Sequence, residues 1–206
     1  DQLPLAVLSG PTFASEVGKG LPTAMTIAAT DTTYAEHLSQ QLSDRTFRTY
    51  TSGDLIGVEV GGAVKNVLAI ATGISDGLGF GANTRVALIT RGLAEMTRLG
   101  LALGASADTF MGLSGMGDLV LTCTDNQSRN RRLGLALADG KSVAAASKEI
   151  QQVVEGINAA RSVSEVAARE NVEMPICQQV YRTLYENSPP DEAGRNLMGR
   201  ALKSER

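Results

Sequence analysis

The spacing of apolar positions changes near residue 52 of this chain. Before that point, three short apolar or β-branched runs bounded by turn residues predict strands at Leu5–Leu8, Ala24–Ala29 and Phe47–Thr51. Two helical segments alternate with them, Pro11–Val17 and Thr33–Leu42. Three strands are too few for a doubly wound sheet. We therefore expect residues 1–52 to be the tail of an α/β domain whose other strands precede the start of this sequence.

From residue 53 to residue 206, helical spacing dominates and strand patterns nearly vanish. This part predicts an all-helical domain with a few Gly-rich loops. Its expected helices, separated by turn residues, are Leu55–Ile74, Thr84–Leu103, Asn130–Ala138, Val143–Ile150, Asn158–Glu170, Ile176–Glu186 and Asp191–Lys203.

Composition excludes several classes of protein. With 43% hydrophobic and 20% charged residues, the chain can bury a core and is not disordered. A formal charge of −3 gives no general attraction to nucleic acid or anionic membranes, and no apolar run approaches the roughly 20 residues of a membrane helix. Cys123, Cys177 and the single His37 have no metal-ligand spacing, so we expect no metal and two reduced thiols in a cytoplasmic protein.

The first long helix places a lysine on a surface lined by glycine. Away from its ends, its only charged residues are Glu59 and Lys65, which is typical of a helix at the centre of a bundle. Gly61 and Gly62 lie one turn before Lys65 on the same face, and close approach of a ligand or another backbone would explain them. Lys65 is therefore a candidate for proton exchange with a substrate oxygen. It could equally reach solvent or pair with a carboxylate such as Glu59.

Two further candidate sites follow. Gly112–Gly117 predicts a loop with exposed N–H groups, after which Asp118 and Thr122 share a face if the intervening stretch is helical. Ser128-Arg129-Asn130 lies where a helix should begin, and an arginine at a helix N-terminus is suited to binding an anion. An ordinary capped helix with solvated arginines is the alternative, which we prefer for Arg131 and Arg132 and leave open for Arg129.

Three other Gly-containing patterns are weak by themselves. Gly10-Pro-Thr12 follows a strand, where α/β sheets place ligands, but any turn from strand to helix looks similar. Gly77-Leu-Gly-Phe-Gly81 follows a helix and lacks the G-x-G-x-x-G spacing, so it is not a dinucleotide loop. Gln152-Val-Val-Glu155-Gly156 is compatible with a helix end capped by glycine.

Taken together, the motifs resemble the NAD(P)-dependent glycerol-3-phosphate dehydrogenase family in its soluble bacterial form. They appear in the family's order as Ser9-Gly-Pro-Thr-Phe-Ala14, Gly61-Gly-Ala-Val-Lys65-Asn66-Val, Asp76-Gly-Leu-Gly-Phe-Gly-Ala-Asn83, Gly117-Asp118-Leu, Thr122-Cys-Thr, Ser128-Arg-Asn-Arg131 and Val153-Val-Glu155-Gly156. The resemblance implies a mainly α fold. The helical carboxy-terminal dehydrogenase domain, similar to that of 6-phosphogluconate dehydrogenase, would follow an incomplete α/β Rossmann remnant.

The resemblance also implies an activity and a set of site residues. The activity is interconversion of sn-glycerol 3-phosphate and dihydroxyacetone phosphate with NAD or NADP, which supplies a phospholipid precursor. Lys65 would accept or donate the proton, and Asp118 would orient it. Substrate-binding residues would be Gly10, Thr12, Asn66, Thr122, Ser128, Arg129 and Asn130. Cofactor-binding residues would be Ala14, Arg129, Val153 and Glu155.

Other expectations complete this interpretation. The partner would be a small phosphorylated molecule rather than nucleic acid or a membrane, and a homodimer is left open. The family's G-x-G-x-x-G fingerprint and a further upstream lysine are absent from the sequence, so we expect these 206 residues alone to be inactive. Two rivals stay open. One is a related reductase of the 6-phosphogluconate dehydrogenase superfamily acting on another small acid. The other is a non-catalytic helical dimerisation module, which predicts that Lys65 and Asp118 are apart and solvated.

Overall fold

A computed structural model of the chain describes residues 4–201. Its first part is a sheet of three strands, β1 (Ala6–Ser9), β2 (Thr23–Ala29) and β3 (Phe47–Ser52), in that order. Strand β1 is antiparallel to β2, and β2 is parallel to β3. One helix connects the first strand to the second, and another connects the second to the third. Asp31 caps the second helix by accepting hydrogen bonds from two backbone N–H groups. The elements are β1 Ala6–Ser9, α1 Ala14–Val17, β2 Thr23–Ala29, α2 Thr32–Leu42 and β3 Phe47–Ser52. All three predicted strands are present.

The remainder of the described chain is helical. The elements are α3 Leu55–Gly77, α4 Gly81–Ala102, α5 Ala107–Met111, a π-helical turn Leu113–Gly117, α6 Asp118–Thr124, α7 Arg129–Ala138, α8 Val143–Ile150, α9 Glu155–Arg169, α10 Pro175–Tyr185 and α11 Pro190–Met198. Each predicted helix is found, with ends that differ by a few residues. The last one ends at Met198 instead of 203, and residues 202 and 203 lie outside the described range.

Helix α3 is the central element, as its apolar composition predicts. It packs against α4, α6, α7, α9 and α10, and most of its residues are buried. By length and composition alone it could cross a membrane, so the expectation that no segment approaches that length was wrong. Its most apolar 18-residue window is 67% buried inside the molecule, and a buried core helix meets the same criterion.

Helices α3 and α7 approach each other closely because glycines face each other at their crossing. A Cβ atom on Gly134 would lie 2.2 Å from the carbonyl oxygen of Ile70, and one on Gly73 would lie 2.2 Å from the carbonyl oxygen of Arg131. Any side chain at these positions would push the two backbones apart. The crossing holds the first half of α7 against the second half of α3.

The Gly112–Gly117 segment departs from the sequence prediction. It was expected to be a loop, but Leu113–Gly117 forms a π-helical turn that continues into α6, and a short helix, α5, precedes it. Gly115 packs on the backbone of Phe110, whose side chain is fully buried. A Cβ on Gly115 would lie 2.2 Å from the carbonyl oxygen of Phe110. The glycines therefore permit tight packing against α5, a role that a loop-forming composition does not reveal.

Asp54 connects the beginning of α3 with α5. One of its carboxylate oxygens accepts a hydrogen bond from Gly57 N at 2.9 Å. The other accepts from Ser106 N at 2.9 Å and from the Thr109 hydroxyl at 2.5 Å. Burial alone would raise the pKa of Asp54, but these hydrogen bonds outweigh it and lower the pKa.

A buried carboxylate similarly joins α4 to α10. Glu95 is 1% exposed, and its oxygens accept hydrogen bonds from Ile176 N at 2.7 Å and Cys177 N at 3.2 Å. These are otherwise unpaired N–H groups in the first turn of α10. Burial raises the pKa of Glu95, and the same two hydrogen bonds oppose the rise. The side chain thus replaces the solvent that an exposed helix end would have.

The α3–α7 crossing can be tested by substitution. Gly134→Ala should lower the free energy of unfolding by about 1–3 kcal/mol, because the new methyl group meets backbone that cannot move independently. Gly53→Ala is the matched control, since a Cβ there meets open space. Its effect should stay within about 0.5 kcal/mol. Urea denaturation followed by circular dichroism measures both, and equal stabilities of the two variants would contradict the packing argument.

The network around Asp54 predicts a pH dependence of stability. Because its pKa is lower in the folded protein, the stabilisation is present above the unfolded pKa of about 4 and is lost as pH falls through the folded value. Asp54→Asn should therefore unfold with a weaker pH dependence between about pH 5 and pH 3 than wild type. Thr109→Val removes only the hydroxyl donor, so the pH dependence of its unfolding should lie between those of wild type and Asp54→Asn. If the Asn variant keeps the wild-type acid dependence, Asp54 is not its source.

Candidate active site

A cleft of about 520 Å³ lies between the end of β1 and one face of α3. Helix α9 contributes Glu155 to its edge. The lining residues are Val7, Leu8, Ser9, Val58, Glu59, Gly62, Lys65, Asn66 and Glu155. On α3 these residues recur every three or four positions, so one helical face forms a wall of the cleft. Lys65 and Asn66, both predicted site residues, lie on that wall.

Lys65 forms an ion pair with Asp118 from α6. The lysine side chain is 20% exposed and the aspartate side chain only 3% exposed, so the carboxylate is almost entirely removed from water. Thr122 donates to the backbone oxygen of Asp118 at 2.6 Å and lies 3.2 Å from its Oδ1 atom. The predicted shared face of Asp118 and Thr122 is confirmed. Of the alternatives for Lys65, pairing with a carboxylate is what the structure shows, but the partner is Asp118 and not Glu59, which was given as an example.

The two glycines before Lys65 have different surroundings. A Cβ on Gly61 would lie 2.6 Å from the carbonyl oxygen of Ser114, so close approach of another backbone explains that position. Gly62 lies on the cleft wall, and its nearest neighbour is the Ser9 hydroxyl, 3.7 Å from where a Cβ would be. Gly61 therefore brings the turn before Asp118 against α3, while Gly62 leaves space beside Lys65.

A chain of amide hydrogen bonds fixes Asn66 next to Lys65. Asn130 donates to Oδ1 of Asn66 at 2.9 Å and accepts from Gly156 N at 2.8 Å. Asn130 is only 5% exposed, so it contacts Asn66 rather than open cleft. Gly156 was compatible with a helix end, but it lies in the first turn of α9. The reason for glycine there is proximity: a Cβ would lie 2.6 Å from Oδ1 of Asn130.

The N-terminus of α7 lies close to the cleft edge. The hydroxyl of Ser128 caps the helix by accepting from Arg131 N at 3.3 Å. Arg129, one residue further, pairs with Glu155 at 3.2 Å, and both side chains are more than one-third exposed. A pair this exposed contributes little to stability and can be replaced readily by another anion. Ser128 and Asn130 are buried, so Arg129 is the part of this motif that reaches solvent.

The preferred interpretation of Arg131 as a solvated residue was wrong. Its side chain is 8% exposed and pairs with Asp76 at 2.6 Å, while Asp76 also pairs with Arg85 at 2.7 Å. Its guanidinium donates in addition to Asn126 at 3.0 Å. Arg132 is partly buried, and its Nε atom has no hydrogen-bond partner within the described structure. Arginine alternates between surface and interior roles here because successive helix positions face different directions.

The remaining predicted residues, Gly10, Thr12, Ala14 and Val153, are not among the residues that line the cleft. Gly10 is buried, and a Cβ on it would lie 2.8 Å from the Cα atom of Met25 on β2. The Thr12 hydroxyl lies 3.4 Å from that of Thr23. Ala14 is exposed at the start of α1, and Val153, two residues before Glu155, is 70% exposed. Their roles in binding stay predictions.

Other reactive groups do not form a site. No cluster of three or more His, Cys, Asp or Glu side chains that could hold a metal occurs within residues 4–201. Both cysteines are buried free thiols. Burial raises the pKa of Cys123 to about 12 and that of Cys177 well above its usual value, so neither forms a thiolate nucleophile at neutral pH.

Comparison with known protein families shows to which family the chain belongs. A family model described as the C-terminus of NAD-dependent glycerol-3-phosphate dehydrogenase matches residues 54–195. The chain belongs to the NAD-dependent glycerol-3-phosphate dehydrogenase family. The model of the family's N-terminal part matches residues 1–35. The resemblance found from the sequence motifs is confirmed.

Curated relatives and solved structures agree. The chain is 60% identical over 206 residues to glycerol-3-phosphate dehydrogenase [NAD(P)+] of Idiomarina loihiensis and 61% identical to that of Aeromonas hydrophila. In both cases the alignment covers all of this chain and 62% of the relative. The crystal structure of the Coxiella burnetii enzyme matches with a TM-score of 0.94 at 50% identity, covering 97% of this chain and 61% of that one. The expected mainly helical fold with a small sheet is confirmed.

The structure and the comparisons disfavour both rival interpretations. A dimerisation module without catalytic role predicted Lys65 and Asp118 to be apart and solvated, whereas they form an ion pair with a buried carboxylate. Membership of the glycerol-3-phosphate dehydrogenase family disfavours a reductase of another family within the superfamily. The chain spans about three-fifths of the length of its curated relatives, 62% for those above.

One residue of this cluster was missed at the sequence level. Ser9, at the end of β1, lines the cleft and donates a hydrogen bond to Oδ2 of Asp118 at 3.2 Å. It is the first residue of the Ser9-Gly-Pro-Thr pattern, in which the predicted site residues were Gly10 and Thr12. A hydroxyl at the end of a strand that precedes a predicted site turn was the available indication.

The Lys65–Asp118 pair should show strong energetic coupling. Lys65→Met leaves a buried carboxylate without its cation, and we expect it to lower the free energy of unfolding by about 3 kcal/mol. The double variant Lys65→Met/Asp118→Leu should lose less than Lys65→Met alone, because no uncompensated charge remains. Urea unfolding of the two single variants, the double variant and wild type measures the coupling. Additive losses would contradict a buried pair.

Proposed function

We propose that this chain is part of an oxidoreductase that interconverts sn-glycerol 3-phosphate and dihydroxyacetone phosphate with NAD or NADP. The observation that carries the proposal is the Lys65–Asp118 pair on the cleft wall, with the N-terminus of α7 near the cleft edge. Its relatives named glycerol-3-phosphate dehydrogenase [NAD(P)+] support the same reaction. Lys65 in the cleft is suited to exchanging a proton, and the N-terminus of α7 near the cleft edge is suited to holding an anion.

Arg129 is the proposed phosphate-binding residue. Its guanidinium is partly exposed and held only by an exposed pairing with Glu155, so a phosphate can take the place of that carboxylate. The N-terminus of α7 adds the positive end of a helix dipole. Ser128 and Asn130 shape this helix start from buried positions, and Gly10 and Thr12, which follow β1 in the chain, are proposed to bind the same substrate. Fixing the phosphate would orient the reacting carbon relative to Lys65.

Lys65 is the proposed proton donor for reduction and acceptor for oxidation. Negative charge develops on the C2 oxygen as the ketone is reduced, and an ammonium within reach stabilises it and then donates a proton. Asp118 keeps that ammonium in place, while Thr122 holds Asp118 and Asn66 occupies the neighbouring wall. In the oxidation direction the same nitrogen takes the proton from the hydroxyl of glycerol 3-phosphate.

The nicotinamide nucleotide would supply the hydride. The proposed bordering residues are Ala14, Val153, Glu155 and Arg129, and they fit such a group in character. Val153 offers an exposed apolar side chain beside the exposed Arg129–Glu155 pair, which suits a flat ring attached to charged phosphates. No metal is needed for the proton transfer we assign to Lys65.

The wider setting follows from the same proposal. The partner would be the small phosphorylated substrate, with no nucleic acid or membrane partner, and the product would feed phospholipid synthesis. Two buried free thiols are typical of a reducing compartment, so we place the enzyme in the cytoplasm. A homodimer is compatible with this proposal.

The test uses the longer protein to which this chain corresponds. Lys65→Ala should lower kcat for dihydroxyacetone phosphate reduction by on the order of 10²–10⁴, the usual contribution of an acid–base group. Arg129→Ala should raise KM for that substrate by on the order of tenfold to a hundredfold, the effect of losing one or two charge-assisted hydrogen bonds. Steady-state kinetics with NADH and NADPH measure both.

Arg195→Ala is the matched control. Like Arg129, Arg195 forms an exposed ion pair with a single carboxylate, here that of Asp191 on the surface of α11. Its kinetics should match wild type. Preference for a non-phosphorylated hydroxy acid, with KM unaffected by Arg129→Ala, would favour a different reductase. Unchanged turnover in Lys65→Ala would remove the catalytic role of the lysine.

A further inference from the structure

The hydroxyl of Ser9 and the ammonium of Lys65 meet at the same atom, Oδ2 of Asp118. Ser9 donates to it at 3.2 Å from the end of β1, whereas Lys65 reaches it from α3. The other oxygen, Oδ1, lies 3.2 Å from the Thr122 hydroxyl. The carboxylate thus has partners from three separate parts of the chain.

This arrangement matters because Asp118 is almost completely buried. Without water, its orientation about the terminal torsion of the side chain is decided by the donors around it. Thr122 holds Oδ1 from one turn along α6, and Ser9 holds Oδ2 from the end of β1. The orientation of the carboxylate in turn decides where the ammonium of Lys65 is held over the cleft.

The Ser9 contact also joins two parts of the chain that are far apart in sequence. Ser9 belongs to the sheet of residues 6–52, and Asp118 belongs to the helical part. Among the described residues, the other side-chain hydrogen bonds between the sheet segment and the region around α6 join Ser15 and Glu16 to Gln127. Those two lie on the surface, so Ser9 is the contact at the candidate site itself.

We propose that Ser9 is a positioning residue of this active site, which orients Asp118 and through it Lys65. The proposal rests on the proposed function, because it assigns Ser9 a part in the proton transfer of Lys65. Its hydroxyl keeps Oδ2 directed at the ammonium and makes the working geometry depend on β1 lying against α6. Ser9 does not reach the phosphate-binding end at Arg129, so it affects the chemical step rather than substrate affinity.

Steady-state kinetics on the longer protein separate this role from a general structural one. Ser9→Ala should lower kcat about tenfold, the effect of one hydrogen bond to a charged group, while KM for dihydroxyacetone phosphate changes little. Ser9→Thr retains a hydroxyl and should recover most of the lost kcat. Ser39→Ala is the matched control, because it removes a hydroxyl that bonds Thr49 at 2.7 Å in the same sheet segment, away from the cleft. Its kcat should equal that of wild type.

A stability measurement tests the Ser9–Asp118 contact without relying on any activity. The decrease in the urea unfolding midpoint caused by Ser9→Ala should disappear when the substitution is made in an Asp118→Ala background, since the acceptor is then gone. An equal decrease in both backgrounds would show that the contact contributes nothing and would overturn the proposal.

The outcomes distinguish failure of this proposal from failure of the proposed function. Wild-type turnover together with loss of activity in Lys65→Ala supports the function, whatever Ser9 does. If kcat of Ser9→Ala then equals wild type, or if Ser9→Thr is as impaired as Ser9→Ala, Ser9 is not a positioning residue. If wild type shows no turnover with either substrate, the proposed function fails and the Ser9 role in proton transfer fails with it.

Discussion

The buried negative charge of Asp118 is the constraint on which the candidate site depends. A carboxylate with 3% of its side chain exposed is tolerated only if donors replace the water it has lost. Lys65 supplies the balancing charge, while Thr122 and Ser9 supply hydroxyl groups. Meeting that requirement fixes the relative positions of α3, α6 and β1, and it leaves the lysine directed at the cleft between them.

Close backbone packing makes this convergence possible. Gly61 lets the turn that precedes α6 approach α3. Gly73 and Gly134 let α7 approach α3 nearer to the end of α3. Because α3 is held on several sides, Lys65, Asn66 and the beginning of α7 have little freedom to move apart. A fixed geometry of this kind is what the roles proposed for Lys65 and for the start of α7 require, because catalysis depends on proximity and orientation.

Most of the regular structure could be predicted from the amino-acid sequence, because strands and long helices require apolar residues at a regular spacing along the chain. The strands, α3 and the helix starting near Arg129 are examples. The region from Gly112 to Asp118 could not, since its glycines serve a π-helical turn packed on Phe110 rather than a loop. The role of Gly156 could not be predicted either. Glycine is required there because Asn130 of α7 packs closely against it, and not because a helix ends there.

The family, the helical character and the residue types available for chemistry could be predicted from the amino-acid sequence, because motif identity and hydrophobic spacing are local properties. Which charged groups form pairs depends on the folded chain. It paired Lys65 with Asp118 instead of Glu59, buried Arg131 against Asp76 and brought Ser9 to the same carboxylate as the lysine. The reason is that electrostatic partners are chosen by distance and burial, and residues 53 and 109 positions apart can approach only when the chain is folded.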